Sequence, residues 1–143
     1  MLAIGCDHGG FELKQEIIKY LAEKNIPYKD FGCDTPEAVD YPVIGKVVAH
    51  AVANGECEKG ILLCGTGIGI SIAANKVKGI RAALCSDCFS AEATRLHNDA
   101  NILAMGGRVV GPGLAVKIVD TFLNTPFSGE ERHRRRISMI EEE

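Results

Sequence analysis

Five short apolar runs are spaced along the chain: LAIGC (2–6), IPYKDFG (26–32), GILLC (60–64), IRAALC (80–85) and NILAMGG (101–107). Runs of this length, bounded by glycine and polar turns, read as strands, the first of them buried. The segments between them carry a different period. In FELKQEIIKYLAEKN, Leu13, Ile17, Tyr20, Leu21 and Lys24 recur at helical spacing with charges between them. Ile44, Val47, Val48, Ala51 and Val52 give a second helix one apolar face, with Pro42 as its first residue and Asp40 as a candidate cap. Further helices are expected over 71–76, 89–98 and 114–123, and GEERHRRRISMIEEE reads as a terminal helix with a solvated glutamate end. Strand alternating with helix predicts a parallel sheet covered by helices on both faces.

Composition narrows the class. A chain of 143 residues suits a single domain, 1–143, large enough to bury its own core. A net charge of −3 offers no basic field for nucleic acid. No apolar stretch reaches membrane-spanning length, and MLAIGCDHGG lacks the basic start of a secretion signal. The expectation is a cytoplasmic protein, with Cys6, Cys33, Cys57, Cys64, Cys85 and Cys88 as reduced thiols.

In open α/β sheets ligands bind beyond the carboxyl ends of the strands. That rule selects Asp7 and His8 after the first strand, residues 64–71 after the third, 85–88 after the fourth and 106–108 after the fifth. The third of these turns reads CGTGIGIS, opening on a thiol. Its backbone amides make an anion site. It is no Walker loop, because no Gly-Lys-Ser/Thr follows, and the third slot of a dinucleotide fingerprint falls on Ile72. The plain alternative is a tight strand-to-helix crossing. Cys64 is either a small buried hydrophobe or a thiol whose pKa the amides lower from about 8.5 towards neutrality. His97, in RLHNDAN, either packs on its helix or joins a polar cluster with Asn98 and Asp99. Arg108 follows the fifth strand. Arg132 and Arg136 are four apart, so a helix stacks them on one face, an arrangement that suits a phosphate; Arg134 and Arg135 read as solvated. Cys85-x-x-Cys88 lacks a second ligand pair, and a three-thiol metal site from Cys6, Cys64 and Cys85 lacks a fourth ligand.

DHGGFELK (7–14), DYP (40–42), CGTGIGISIAANK (64–76), IRAALC (80–85), RLHNDANILAMGGRVVG (95–111) and the terminal RHRRR together resemble ribose-5-phosphate isomerase type B. Galactose-6-phosphate isomerase subunits and allose-6-phosphate isomerases belong to the same family. The resemblance runs through the whole chain in order. It implies a Rossmann-like three-layer α/β/α sandwich with five parallel strands and a C-terminal helix. The implied activity is aldose–ketose isomerisation without metal or cofactor. By the same resemblance Cys64 is the base, His97 opens the sugar ring and Thr66 lies near the reacting oxygens. Amides of Gly65, Thr66, Gly67, Ile68 and Gly69 hold an enediolate. Asp7 and Asn98 contact hydroxyls, and His8, Arg108, Arg132 and Arg136 hold the phosphate. Another branch of the family carries a glutamate base in the glycine loop; that slot is Ile70 here, which leaves Cys64 as the base. The site is shared between subunits of a homodimer or of a pair of dimers. Alternatives are a six-carbon sugar phosphate as substrate, or a nucleotide or redox module without catalysis.

Overall fold

The computed structural model describes residues 1–142. Its five strands are β1 (Leu2–Cys6), β2 (Tyr28–Asp30), β3 (Lys59–Cys64), β4 (Ala82–Leu84) and β5 (Ile102–Gly106). Its helices are α1 (Phe11–Glu23), α2 (Tyr41–Ala53), α3 (Ile68–Ala74), α4 (Cys88–Asn98), α5 (Pro112–Asn124) and α6 (Glu131–Glu141). The strands form one parallel sheet in the order β2-β1-β3-β5-β4. The expected α/β sandwich is therefore the fold. The winding reverses between β1 and β3, which makes the carboxyl edge beside these two strands the switch point where open α/β sheets bind ligands.

Every residue of β1 and β5 is buried, as a strand covered on both faces requires. One core layer takes Leu13, Ile17 and Leu21 from α1, Ala91 from α4, and Ile118, Val119 and Phe122 from α5. The opposite layer takes Val48, Ala49 and Val52 from α2 and Ile70 and Ala74 from α3. Full burial of each large apolar side chain contributes about 1.5–3 kcal/mol. The strongly polar α6 lies outside both layers and packs on α4.

Several local expectations change. The polar member of α1 that is buried is Lys14, not Lys24; Lys14 is wholly inaccessible. Its ammonium donates to both carboxylate oxygens of Asp30 at 2.8 and 2.9 Å and to the Cys33 carbonyl at 2.6 Å. Those bonds offset the desolvation of the charge and tie α1 to the end of β2. Val47 is exposed, and Gly45 and Ala49 complete the buried face of α2 in its place. Asp40 stands at the α2 N-cap position but its side chain makes no capping bond. The helix after the glycine loop begins at Ile68, three residues earlier than expected. At the other terminus Glu141 accepts from Arg81 at 2.6 Å, so the end of α6 is tethered rather than loose; Glu143 lies outside the described residues. All six cysteines are free thiols.

Replacing Lys14 with Met leaves the Asp30 carboxylate with only the Gly32 N–H at 2.9 Å and the Cys33 carbonyl without its donor. Asp30 keeps some access to water, so the expected loss is about 2–3 kcal/mol, at the low end for a broken buried pair. Urea unfolding of Lys14→Met against the parent measures it, and an unchanged midpoint would count against this role.

Candidate active site

The carboxyl edge of β1 turns on Asp7. Its Oδ1 accepts the N–H groups of Gly9 at 2.8 Å and Gly10 at 3.2 Å, capping the single 3-10 turn that leads into α1. Its Oδ2 accepts nothing from the described residues and remains available. His8 is exposed, and its Nδ1 accepts the Val39 N–H at 3.3 Å, which leaves Nε2 as its outward donor.

Cys64 ends β3 opposite Gly106 of β5 and is 5% exposed. Its Sγ accepts the Gly67 N–H at 3.0 Å, so the sulfur faces a donor. Gly67 has φ +81°, and a Cβ there would lie 2.7 Å from the Met105 carbonyl carbon. Only glycine serves at this position. Thr66 is exposed, and its Oγ1 accepts the Ile68 N–H at 3.1 Å. The N–H groups of Gly65, Thr66 and Gly69 donate to no acceptor among the described residues. Arg108 runs beside the loop: its N–H donates to the Gly65 carbonyl at 3.0 Å, and its Nη1 lies 3.6 Å from where a Gly65 Cβ would stand. The Tyr41 ring, part of the DYP motif but given no site role in the sequence, closes over Gly69, where a Cβ would meet it at 2.6 Å.

A second cluster forms where α4 ends. His97 is exposed and its ring lies 4.6 Å from that of His133, centroid to centroid, tilted by 42°. Asn98 Oδ1 accepts from the Thr94 hydroxyl at 3.0 Å. Arg132 and Arg136 line the same cavity of about 360 Å³ as His97, Asn98 and His133. Arg132 donates to Glu130 at 3.3 Å, and Arg136 has no side-chain partner among the described residues. Arg134 instead turns to the Gly129 carbonyl and the Phe127 ring, consistent with its reading as a bystander. His133 was missed in the sequence because nothing in RHRRR marks one member as buried. It is 5% exposed, and its Nδ1 lies 2.9 Å from Ser128 Oγ. Burial first, and then the charge of Arg132, pushes its pKa below the ordinary imidazole value.

These clusters sit at opposite ends of the sheet. Cys64 pairs with Gly106, whereas α4 delivers its last residues to the start of β5, where Ile102 pairs with Gly60. Arg81, just before β4, donates to the carbonyls of Asn98 and Asp99 and fixes them at that amino edge. Four residues of strand separate the edges by about 13 Å. One chain thus brings together Asp7, His8, Cys64, Gly65, Thr66, Gly67, Ile68, Gly69 and Arg108, and separately His97, Asn98, Arg132 and Arg136; it does not join the two groups.

Other candidates lose their chemistry. Burial and then the Asp87 charge push the Cys85 thiol up to about 11, unlike the low-pKa cysteine of a redox pair. Among the described residues no cluster of three or more His, Cys, Asp or Glu side chains could hold a metal ion. A larger cavity of about 670 Å³ opens beside β4, but its Arg81 and Glu141 already neutralise each other. No helix among the described residues is long and apolar enough to cross a membrane.

A parallel sheet with a buried thiol and unused amides at its switch point has the architecture of an α/β enzyme. The chain belongs to the Ribose/Galactose Isomerase family, which it matches over residues 2–140, and it is an isomerase. It is 52% identical over 139 residues to ribose-5-phosphate isomerase B of Escherichia coli, covering 97% of this chain and 93% of that one. The galactose-6-phosphate isomerase subunit LacB of Clostridium acetobutylicum is 42% identical over 142 residues, covering 99% and 82%. The solved ribose-5-phosphate isomerase B of Clostridium thermocellum superposes with a TM-score of 0.96 at 54% identity, covering 98% and 94%. Membership in an isomerase family sets aside the non-catalytic nucleotide or redox reading.

Gly67→Ala forces an L residue to positive φ and drives a Cβ into the Met105 carbonyl. It is expected to destabilise the fold by about 1–3 kcal/mol and to pull the amide away from Cys64. Thermal unfolding reads the first effect and the rate of Cys64 alkylation reads the second; a variant unchanged in both would refute the close approach.

Proposed function

We propose that the chain interconverts ribose 5-phosphate and ribulose 5-phosphate through an enediolate, using neither metal nor cofactor. The observation that carries this reading is the Cys64 sulfur, buried beside the Gly67 N–H and flanked by unused amides of Gly65, Thr66 and Gly69. Aldose–ketose isomerisation needs a base that carries a proton between C2 and C1, and donors for the oxygen that becomes negative on the way. Cys64 takes the proton from C2 of the open-chain aldose and returns it to C1. The glycine-loop amides stabilise the enediolate oxygens. Thr66 lies within reach of the same oxygens. His97 moves the proton that opens the furanose ring. Asp7, through its available Oδ2, and Asn98 bind sugar hydroxyls, and His8, Arg108, Arg132 and Arg136 hold the phosphate. The low exposure of Cys64 keeps bulk water from the intermediate.

Because the two clusters lie on opposite edges of one sheet, the complete site on this reading needs a second copy. A homodimer, alone or paired into a tetramer, places the His97 cluster of one protomer over the Cys64 cluster of its partner. The pentose assignment draws on the relatives named for ribose 5-phosphate. The LacB relative supports a second reading, a six-carbon sugar phosphate, since Arg108, Arg132 and Arg136 are long enough to follow a phosphate displaced by one carbon. The free thiols fit a reducing cytoplasm.

Proton NMR with ribose 5-phosphate in D₂O and EDTA tests the chemistry. The expected result is conversion to ribulose 5-phosphate with deuterium entering the exchanging carbon, and a fall of about 10²–10⁴-fold in Cys64→Ala. A fully active Cys64→Ala would end the mechanism; turnover of six-carbon phosphates alone would move the assignment to the second reading.

Mixing tests the shared site. Cys64→Ala and His97→Asn chains, each impaired alone on the closed sugar, form hybrid dimers with one intact site. Subunit exchange is expected to restore about a quarter of parental activity for a two-fold dimer. No recovery after exchange confirmed by native mass spectrometry would refute a site divided between chains.

A further inference from the structure

We infer that His133 is a positioning residue for ring opening: seated on α6 against the His97 ring, it holds His97 in the orientation from which it meets the ring oxygen of the sugar. The inference rests on the isomerase reading above and assigns a role to a buried side chain that this reading leaves unused.

His97 stands exposed near the end of α4 and its side chain makes no hydrogen bond with any described residue; its ring lies against that of His133, 4.6 Å away. A proton-transfer group in that position needs something to fix its ring, and here the fixing contact is packing rather than a hydrogen bond. His133 is itself pinned. Its backbone N–H donates to the Glu130 carbonyl at 3.0 Å, its side chain is 5% exposed, and its Nδ1 lies 2.9 Å from Ser128 Oγ. Ser128 Oγ also accepts the Glu130 N–H at 3.2 Å, and Glu130 Oε2 lies 3.3 Å from the same Nδ1, so this edge of the His133 ring is held from two sides. Glu130 at the N-cap of α6, Arg132 and Arg136 from α6 and His97 from α4 are the charged or titratable groups that face it. Burial, then Arg132, disfavours a charge on His133, and an uncharged ring can pack on His97 whether or not His97 carries its proton. A charged neighbour would repel the imidazolium that ring opening requires.

The experiment separates ring opening from carbon-acid chemistry. Ribulose 5-phosphate stays open-chain because its O5 carries the phosphate, so wash-in of deuterium at its C1 reports Cys64 alone. Turnover of ribose 5-phosphate reports both steps. In His133→Phe, turnover is expected to fall about 10–100-fold while C1 exchange stays within about twofold, because a misplaced His97 affects only the closed sugar. Ser128→Ala is expected to shift the same ratio in the same direction by less. Wild-type turnover in His133→Phe, or turnover and exchange falling together, would overturn the inference. Should His133→Phe fail to fold, His133→Asn and Ser128→Ala carry the same comparison. Side-chain ¹⁵N–¹H spectra give a readout that needs no substrate. Ser128→Ala is expected to move the ring resonances of His97 as well as those of His133, and an unmoved His97 would overturn the contact. A parent protein that neither turns over nor exchanges either sugar would refute the isomerase reading, with the imidazole spectra still deciding the contact.

Discussion

The carboxyl edge of the sheet is held by backbone lying on backbone. A Cβ at Gly107 would strike the Gly9 carbonyl oxygen, one at Gly10 would stand 2.6 Å from Leu63, and one at Gly106 would stand 2.6 Å from the Thr66 carbonyl oxygen. The loops that leave β1, β3 and β5 therefore touch without side chains between them. That contact brings Asp7, Cys64 and Arg108 to one place although 101 positions separate the first from the last. It also explains why the amides of the glycine loop are unspent. A loop pressed between two neighbours cannot curl back to bond its own carbonyls, and close-packed surroundings leave it one conformation. Preorganised donors of this kind stabilise a developing oxyanion without reorganising during the reaction.

The α6 arm depends on a different kind of anchor. It contributes no side chain to the main apolar layers, and its surface carries a run of arginines followed by the exposed Met139 and Ile140. Two polar attachments hold it: His133 beside Ser128 and His97 near its start, and Glu141 on Arg81 near its end. Arg81 also binds the last carbonyls of α4. One guanidinium thus fixes both the helix that presents His97 and the helix that presents Arg132 and Arg136. An arm attached through ion pairs and hydrogen bonds has less holding it than a buried helix, which places Arg132 and Arg136 on one of the softer parts of the fold.

The alternation of apolar runs with helical patterns was enough to read all five strands and the two-faced sheet: β1, β3 and β5 are buried and leave continuous apolar signatures, while the half-exposed edge strands β2 and β4 were read from shorter runs between turns. What escaped notice is polar and buried, or glycine and helical. Lys14 breaks the apolar stripe of α1 and looks like a surface residue until Asp30 and the Cys33 carbonyl are seen beneath it. Ile68 to Ile70 read as loop because glycine is a poor helix former; packing of Ile70 into the α2–α3 layer overrides that preference. Cys85 and Cys88 drew attention by spacing, yet the sulfurs in contact belong to Cys6 and Cys33, 3.8 Å apart and 27 positions distant. The residues assigned to the site by resemblance fall into two coherent groups, but the distance between those groups follows from helix direction, which no motif encodes.

That distance makes chemistry depend on assembly. On the proposed reading a lone chain holds the base, the enediolate amides and one arginine, but neither the ring-opening histidine nor the paired arginines of α6. Moving His97 to the other edge within the same chain would require reversing α4, but a crossover between the parallel strands β4 and β5 must carry the chain back to the amino edge. A second protomer solves the problem by symmetry, since each copy offers the other the half it lacks. The phosphate would then lie between cations from both chains, so bound substrate itself would draw the protomers together. Substrate affinity and dimer stability are in that case two faces of one linkage, and a charge removed at Arg136 would weaken both.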